Sequence, residues 1–415
     1  MEKNKIIRVA FGSVPKDGGT YTFYRNIRPV LNDYGIDIRC VTVGKTEADL
    51  VEPSLVDKGC VTLAAHTGNI KKQAQIFSHW CENMGVDIVL GINSVAILSA
   101  LPHLPEKIRV MARCANSFDH GYKITVSCYD RLAAIIAQTP RQVEDLSNKY
   151  DVSMDKLALI PNGIEANRFK DAVSKIRGKT PKLQIGFLGR LEHGQKGVLF
   201  LPGIIHLLEK RGIAFKLKIA GKGVHRRSLE KELNEYVYRG VVEFMGSISP
   251  HKIPEFLAGI DVLLFTSQFE GCPNALLEAM MAGCVPVSSR LEGITDFIIK
   301  EGKTGFLCPV GACEAFADHL VDLNGDREKL RKVSKTVAKD AEERFGSSRA
   351  ADDYNRTITK VMEMPPPKWS PMPWREFQVD SAFKQTWSRH IPSSVKKGIK
   401  NMLFHMGFSN RYNQL

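Results

Sequence analysis

A chain of 415 residues, 43% hydrophobic and 25% charged, can fill the cores of two domains and is not a disordered or fibrous polypeptide. No apolar run reaches the length of a membrane span, DIVLGINSVAILSAL being broken by Asn93 and Ser94, and nine scattered cysteines with no CxxC pair exclude a zinc site and a disulfide framework. The net charge of +13 calls for an anionic partner, but no aromatic-interleaved basic stripe speaks for nucleic acid; residues 364 to 415 hold eight Lys/Arg against two Asp/Glu, so +6 lies in the tail.

The N-terminus, MEKNKIIRVAFGS, runs straight into a strand pattern with no secretory signal, which predicts a soluble cytoplasmic protein. IIRVAFGS reads as a strand, TYTFYRNIRPVLNDYG as a helix and IDIRCVTVG as a strand. NIKKQAQIFSHWCENMG is a helix, followed by strands in VDIVLGI, KIRVMARCAN and RLAAIIAQ. TPRQVEDLSNKY is a helix with Thr139 as its cap and Pro140 in its first turn, and KLALI closes the half as a strand. Strands alternating with helices predict a parallel sheet built from crossover units.

The polar segment DAVSKIRGKTPKL, without apolar periodicity, reads as a linker. The alternation then restarts with strands in LQIGFLGRL, FKLKIAG, VVEFMG, IDVLLFTS, CVPVSS and GFLCPV, and ends in helices that run to Phe345. The expected organisation is an N-terminal Rossmann-like domain over residues 1–175, a second over 176–345, and a helix and basic tail over 346–415. In the tail, MPPPKWSPMPW carries five prolines and cannot be regular helix. Residues 393–408 space Val395, Ile399, Met402, Leu403 and Met406 at helical intervals opposite Lys396, Lys397 and Lys400. Such a stripe either packs on the first domain or meets an anionic membrane surface from the cytoplasmic side.

Chemistry gathers in FEGCPNALLEAMMAG. IDVLLFTSQ ends as a buried strand and ALLEAMMAG begins a helix, so EGCPN is a strand-to-helix loop at the sheet edge where ligands bind. A helix start suits phosphate, and acids beside it must point at hydroxyls: Glu270 at the strand end and Glu278 one turn into the helix suggest a ligand with hydroxyls on both sides of a diphosphate. Arg190 and Lys196, in GRLEHGQKG after the first strand of this half, supply a planar fork and a point charge for that diphosphate. Gly221, in IAGKG, marks a turn where a backbone can approach a flat base. In the first half, Gly18 and Gly19 precede Thr20 between strand and helix and allow a similar approach to a ligand.

On these pieces, with LKIAGKG, VEFMGSIS, GKTGFLCPVG and the Asn-Gly turn of PNGIEANRF, the chain resembles the family 4 retaining glycosyltransferases of GT-B fold over nearly all of residues 5 to 345. The resemblance implies two doubly wound domains facing each other across a cleft, a nucleotide-diphosphate sugar as substrate, no cofactor and no metal. It implies that Arg190 and Lys196 hold the diphosphate and that Glu278 binds the ribose. Glu270, with Gly271, Cys272, Asn274, Ala275 and Leu276, would face the donor sugar; Gly18 and Gly19 would touch phosphate or acceptor. The family's histidine after KIRVMARCAN is missing, and either Asn116 or His120 stands in for it. The function expected is transfer of a hexose or N-acetylhexosamine, from a UDP-sugar by preference, to a glycan or lipid-linked acceptor in cell-surface polysaccharide or glycolipid synthesis. The alternatives are a nucleotide-sugar epimerase of the same fold and a non-enzymatic nucleic-acid-binding protein.

Overall fold

Val262, Leu263, Leu264 and Phe265 are consecutive, and all four are buried. A strand with no polar face has to be covered on both sides, which a parallel sheet with crossover helices provides. The computed structural model describes residues 6–15, 19–44, 58–174, 177–365 and 368–383. Its first parallel sheet holds β1 (Ile7–Gly12), β2 (Ile36–Gly44), β3 (Cys60–Ala64), β4 (Ile88–Gly91), β5 (Arg109–Arg113), β6 (Leu132–Ala137) and β7 (Leu157–Leu159), in the order 3-2-1-4-5-6-7. The second holds β8 (Leu183–Leu188), β9 (Phe215–Ala220), β10 (Val242–Gly246), β11 (Val262–Phe265), β12 (Val285–Ser289) and β13 (Phe306–Cys308), in the order 10-9-8-11-12-13. Every pairing is parallel and each sheet has an apolar cluster on either face. This is the GT-B arrangement of two Rossmann-like domains.

Strand order reverses between β1 and β4 in the first sheet and between β8 and β11 in the second. In open parallel sheets ligands bind at that reversal, outside the carboxyl ends of the strands. The loops after β8 and β11 are those carrying Arg190, Lys196 and Glu270.

Several elements differ from expectation. β3 has no counterpart among the predicted strands, because it is a short edge strand, only its first residue is buried, and its CVTLA sequence has no sustained apolar run. Thr139 does stand at the N-cap of helix Pro140–Tyr150, but it makes no capping hydrogen bond and its hydroxyl is buried without a partner among the described residues.

The segment read as a linker is anchored. Ile164, Phe169 and Ala172 pack in the second domain's core, so the chain leaves the first domain near residue 163, ahead of the expected boundary at 175. Arg177 is 3% exposed and donates to the carbonyls of Ala172, Leu257, Ala258, Ile260 and Ala282. A long polar side chain hides there by saturating carbonyls at strand and helix ends, a role invisible to periodicity.

The chain crosses back at Gly346. Ile164 N donates to Phe345 O at 2.8 Å and Ser347 N to Ile164 O at 2.8 Å, so the two crossings lie side by side. Helix Ser347–Glu363 then buries Ala351, Tyr354, Ile358 and Val361 against the first domain. Beyond it the proline-rich stretch follows the same domain: Met372 N donates to Pro102 O at 3.0 Å, and Trp374 stacks on His103 with ring centroids 4.3 Å apart. Residues 393–408 lie outside the described residues. Among those described, no helix is long and apolar enough to cross a membrane.

Candidate active site between the two domains

The turn after β8 is built by its own sequence. Glu192 caps the short helix His193–Lys196, its carboxylate accepting from the amides of Gly194 and Gln195 at 2.7 and 2.9 Å. This turn spans the residues between Arg190 and Lys196. Gly197 ends it at φ 61°, and a Cβ there would lie 2.0 Å from Thr266 O. Only glycine lets the turn close on the end of β11, where Thr266 Oγ1 donates to Lys196 O at 2.9 Å and Gln268 N to Gln195 O at 2.7 Å.

That closure places Lys196 Nζ 2.5 Å from Glu270 Oε1. Glu270 is 6% exposed and also accepts from Ser267 Oγ at 2.7 Å and Gln195 Nε2 at 3.4 Å. Arg190 is exposed above them and donates to the Gln195 side-chain oxygen. One cation at the mouth is thus neutralised by the acid expected to face the sugar, and the other is held by an amide.

Helix Asn274–Met281 starts at Pro273 with no side-chain cap. The amides of Leu276 and Leu277 both bond Pro273 O, at 3.1 and 3.2 Å, while those of Asn274 and Ala275 have no acceptor within the helix. Leu276 is fully buried in the second domain's core, with its side chain away from the cleft. Cys272 contributes its carbonyl, which accepts from Asn162 Nδ2 at 3.1 Å; burial pushes its thiol up to about 11, which keeps it protonated at neutral pH.

Glu278 is 5% exposed, with Oε1 3.7 Å from Arg168 Nη1. Burial pushes its carboxyl up to about 7, against the opposing pull of Arg168 and Arg25. The folded-state value lies above the ordinary carboxylate value of 4.5, so the native state holds this proton more tightly than the unfolded chain. The stability it contributes is therefore complete below about 4.5 and is lost as pH rises through about 7. Glu278→Gln, which has no such proton, is expected to gain on the native protein by up to about 3 kcal/mol between pH 5 and pH 8. Melting curves of both proteins at the two pH values check this; a constant difference in melting temperature refutes it.

The domains meet on the same loop. A Cβ on Gly271 would stand 3.1 Å from Ala115 O and 3.5 Å from the Cα of Asn116, and Asn274 Nδ2 donates to Gly19 O at 3.4 Å. Asn116 and Gly19 are thus brought to the Glu270 loop. Gly18 lies outside the described residues. His120 sits exposed in the first turn of helix Asp119–Thr125, and no hydrogen bond or ion pair ties it to the loop. Gly221, at φ 151°, would carry a Cβ 1.8 Å from Gly189 O, so its lack of a side chain admits the β8 loop.

Sequence reasoning missed four residues that organise the site. Arg113, at the end of β5 and 3% exposed, donates to Asn162 Oδ1 and, at 3.1 Å, to Tyr354 OH. Asn162 passes that anchoring on to Cys272 O and to Asn274 Oδ1, the latter at 2.7 Å. Arg168 stands beside Glu278, and the charge of Arg25 also favours the ionised carboxylate. Asn162 and Arg168 were within reach, since both lie in PNGIEANRF, but that stretch reads as a connector. An arginine at each end of the apolar stretch VMA in β5 was the available signal for Arg113.

Residues 182–326 match the family model described as glycosyl transferases group 1. The matched segment contains Arg190, Lys196, Glu270 and Glu278. Over 222 residues the chain is 29% identical to the putative colanic acid biosynthesis glycosyltransferase WcaL of Escherichia coli K12, covering 52% of this chain and 53% of that one. It is 30% identical over 147 residues to the N-acetyl-alpha-D-glucosaminyl L-malate synthase of Bacillus anthracis, covering 35% and 38%. The chain spans about half the length of the WcaL relatives it matches. In structure it is similar to Anabaena HepE crystallised with UDP and glucose: TM-score 0.68 at 16% identity, covering 85% of this chain and 100% of that one. It is also similar to a Staphylococcus aureus TarM mutant crystallised with UDP, with TM-score 0.69 at 12% identity, covering 86% and 100%. Likeness at these identities establishes the fold.

Proposed function

We propose that the chain is a retaining, metal-independent glycosyltransferase that moves a hexose or N-acetylhexosamine from a UDP-sugar to a glycan or lipid-linked acceptor in cell-surface polysaccharide or glycolipid synthesis. The observation that carries this reading is the Lys196–Glu270 pair, set with Arg190 at the strand-order reversal of the second sheet. The group 1 match over residues 182–326 and the UDP complexes of the structural neighbours support it.

In this reading the diphosphate takes Lys196 from Glu270 and recruits Arg190. The two cations, with the free amides of Asn274 and Ala275, stabilise the charge that develops as the sugar–phosphate bond breaks. Glu270, released, accepts hydroxyls of the donor sugar, and Glu278 accepts those of the ribose. The acceptor oxygen attacks the anomeric carbon from the face the diphosphate leaves, and its proton passes to the departing phosphate oxygen. Asn116, beside Gly271, is better placed than His120 to meet the sugar.

The direct test is thermal unfolding with UDP, GDP or ADP. A ligand at one hundred times its dissociation constant adds about 2.7 kcal/mol to native stability. UDP is expected to raise the melting temperature most, and Arg190→Ala to lose most of that rise. If none of the three raises it, the reading is wrong.

A further inference from the structure

All nine cysteines are free, and the pairing of β2 with β3 sets two of them side by side. The strands are parallel, with Cys40 opposite Cys60 in the register. Neighbouring strands run about 4.8 Å apart, within the Cα separation of about 4.4–6.8 Å that a disulfide spans, and paired residues of a parallel ladder point to the same face. Both side chains accordingly enter one apolar cluster, together with Tyr21 and Tyr24. No spacing in the sequence marks this pair; the strand register makes it.

The two sulfurs have unequal surroundings. Cys40 is fully buried, and its Sγ donates to Ser13 O at 3.1 Å. Cys60 is 3% exposed and opens the edge strand of the sheet, whose next four residues are only half-buried. The Tyr21 hydroxyl stands 3.9 Å from its sulfur. Arg28 lies against the preceding residue: a Cβ on Gly59 would fall 2.4 Å from Arg28 Nε, an N–H buried without a hydrogen-bond partner among the described residues. An unpaired cationic donor favours negative charge beside it. The Cys40 thiol, by hydrogen-bonding the Cys60 thiolate, pushes Cys60 down against the opposing pull of burial, and Tyr21, Arg28 and Lys58 add to this. Burial instead pushes Cys114, Cys128 and Cys284 up to about 11.

We infer that Cys40 and Cys60 are a redox pair that a peroxide closes into a disulfide, and that closure loosens the turn bringing Gly19 to the cleft. The Cys60 thiolate attacks one peroxide oxygen, the O–O bond breaks, and the other oxygen leaves as hydroxide, which takes up a proton to become water. Cys60 is then a sulfenic acid. The Cys40 sulfur gives up its proton and displaces the hydroxyl as a second water, so two electrons pass from the sulfurs to the peroxide. A dithiol reverses the step by exchange. The proton that Cys40 loses is the one it gives to Ser13 O. Ser13 keeps its amide bond to Val41 O at 3.1 Å, but its carbonyl is left without that donor. Ser13 follows β1 at the strand-order reversal and leads toward Gly19, whose carbonyl accepts from Asn274 Nδ2 of the second domain at 3.4 Å. Resting on the function proposed above, oxidation weakens the first domain's side of the donor site.

The experiment treats the full chain with hydrogen peroxide and follows it by intact mass, tryptic mapping and amide hydrogen exchange. The protein should lose about 2 Da, the two thiol hydrogens. A linked pair of peptides, residues 40–45 and 59–71, should appear and vanish again with dithiothreitol. Exchange in the first turns of helix Gly19–Asp33 should quicken about threefold or more on oxidation and recover on reduction. In Cys40→Ala the reaction should stop with about 16 Da, one oxygen, on Cys60, whereas Cys60→Ser should leave Cys40 a thiol. If the linked peptides never form, the pair is core packing and the inference fails. A disulfide that forms without quickening exchange at that helix overturns the link to the cleft. Oxidation should also remove about half or more of the UDP-induced rise in melting temperature. No rise in the reduced protein would overturn the proposed function and leave the peptide and exchange results to decide this inference.

Discussion

Lys196→Ala is expected to lower turnover by a factor of about 100 to 1000 and to destabilise the second domain by about 3–5 kcal/mol. The two effects have separate causes. Turnover falls because the leaving diphosphate loses a charge-assisted contact where charge develops. Stability falls because Glu270, 6% exposed, loses the ammonium 2.5 Å away and keeps only Ser267 and Gln195 as donors. The Lys196→Ala/Glu270→Gln double variant separates them. Removing the orphaned charge should return most of the stability in urea unfolding, while initial rates stay low. A double variant that regains turnover would show that Lys196 only balances charge, and a single variant as active as the native protein would remove the site assignment.

Arg177→Met should destabilise the second domain by about 4 kcal/mol, the largest effect expected from a residue outside the cleft. The methionine fills similar space but takes a donor from five buried carbonyls, at the ends of helices Lys170–Val173, Ile253–Ala258 and Asn274–Met281 and next to β11. The check is the urea midpoint with an unchanged slope, since a changed slope would report a different unfolded or native compactness. A loss under about 1 kcal/mol would mean that water replaces the guanidinium and that the segment is the simple connector its polarity suggests.

The sequence by itself determined the architecture. Four-to-six-residue apolar runs such as VLLF and LAAIIA, separated by amphipathic stretches, allow a parallel sheet and little else, because a strand without a polar face needs helices on both sides. The loops were legible for a related reason. Glycine, proline and charge at strand ends are local signals, and Arg190, Lys196, Glu270 and Asn274 all lie on the two loops at the reversal of strand order.

What only the tertiary structure decided is which of these groups face one another. That Lys196 pairs with Glu270 depends on Gly197 admitting Thr266 O, a contact between loops 70 residues apart. Gly221 likewise admits the β8 loop, a backbone contact that its place at a strand end does not specify. The buried arginines were the least legible. Arg113, Arg168 and Arg177 lie on three different segments and read as surface charge, because their partners are carbonyls, an amide and a carboxylate brought in from distant parts of the chain. Periodicity records which face of an element is apolar; it carries no information about which carbonyls a folded chain leaves needing a donor. That need is created by the packing of the two domains, and it is met by long cationic side chains that no local pattern marks.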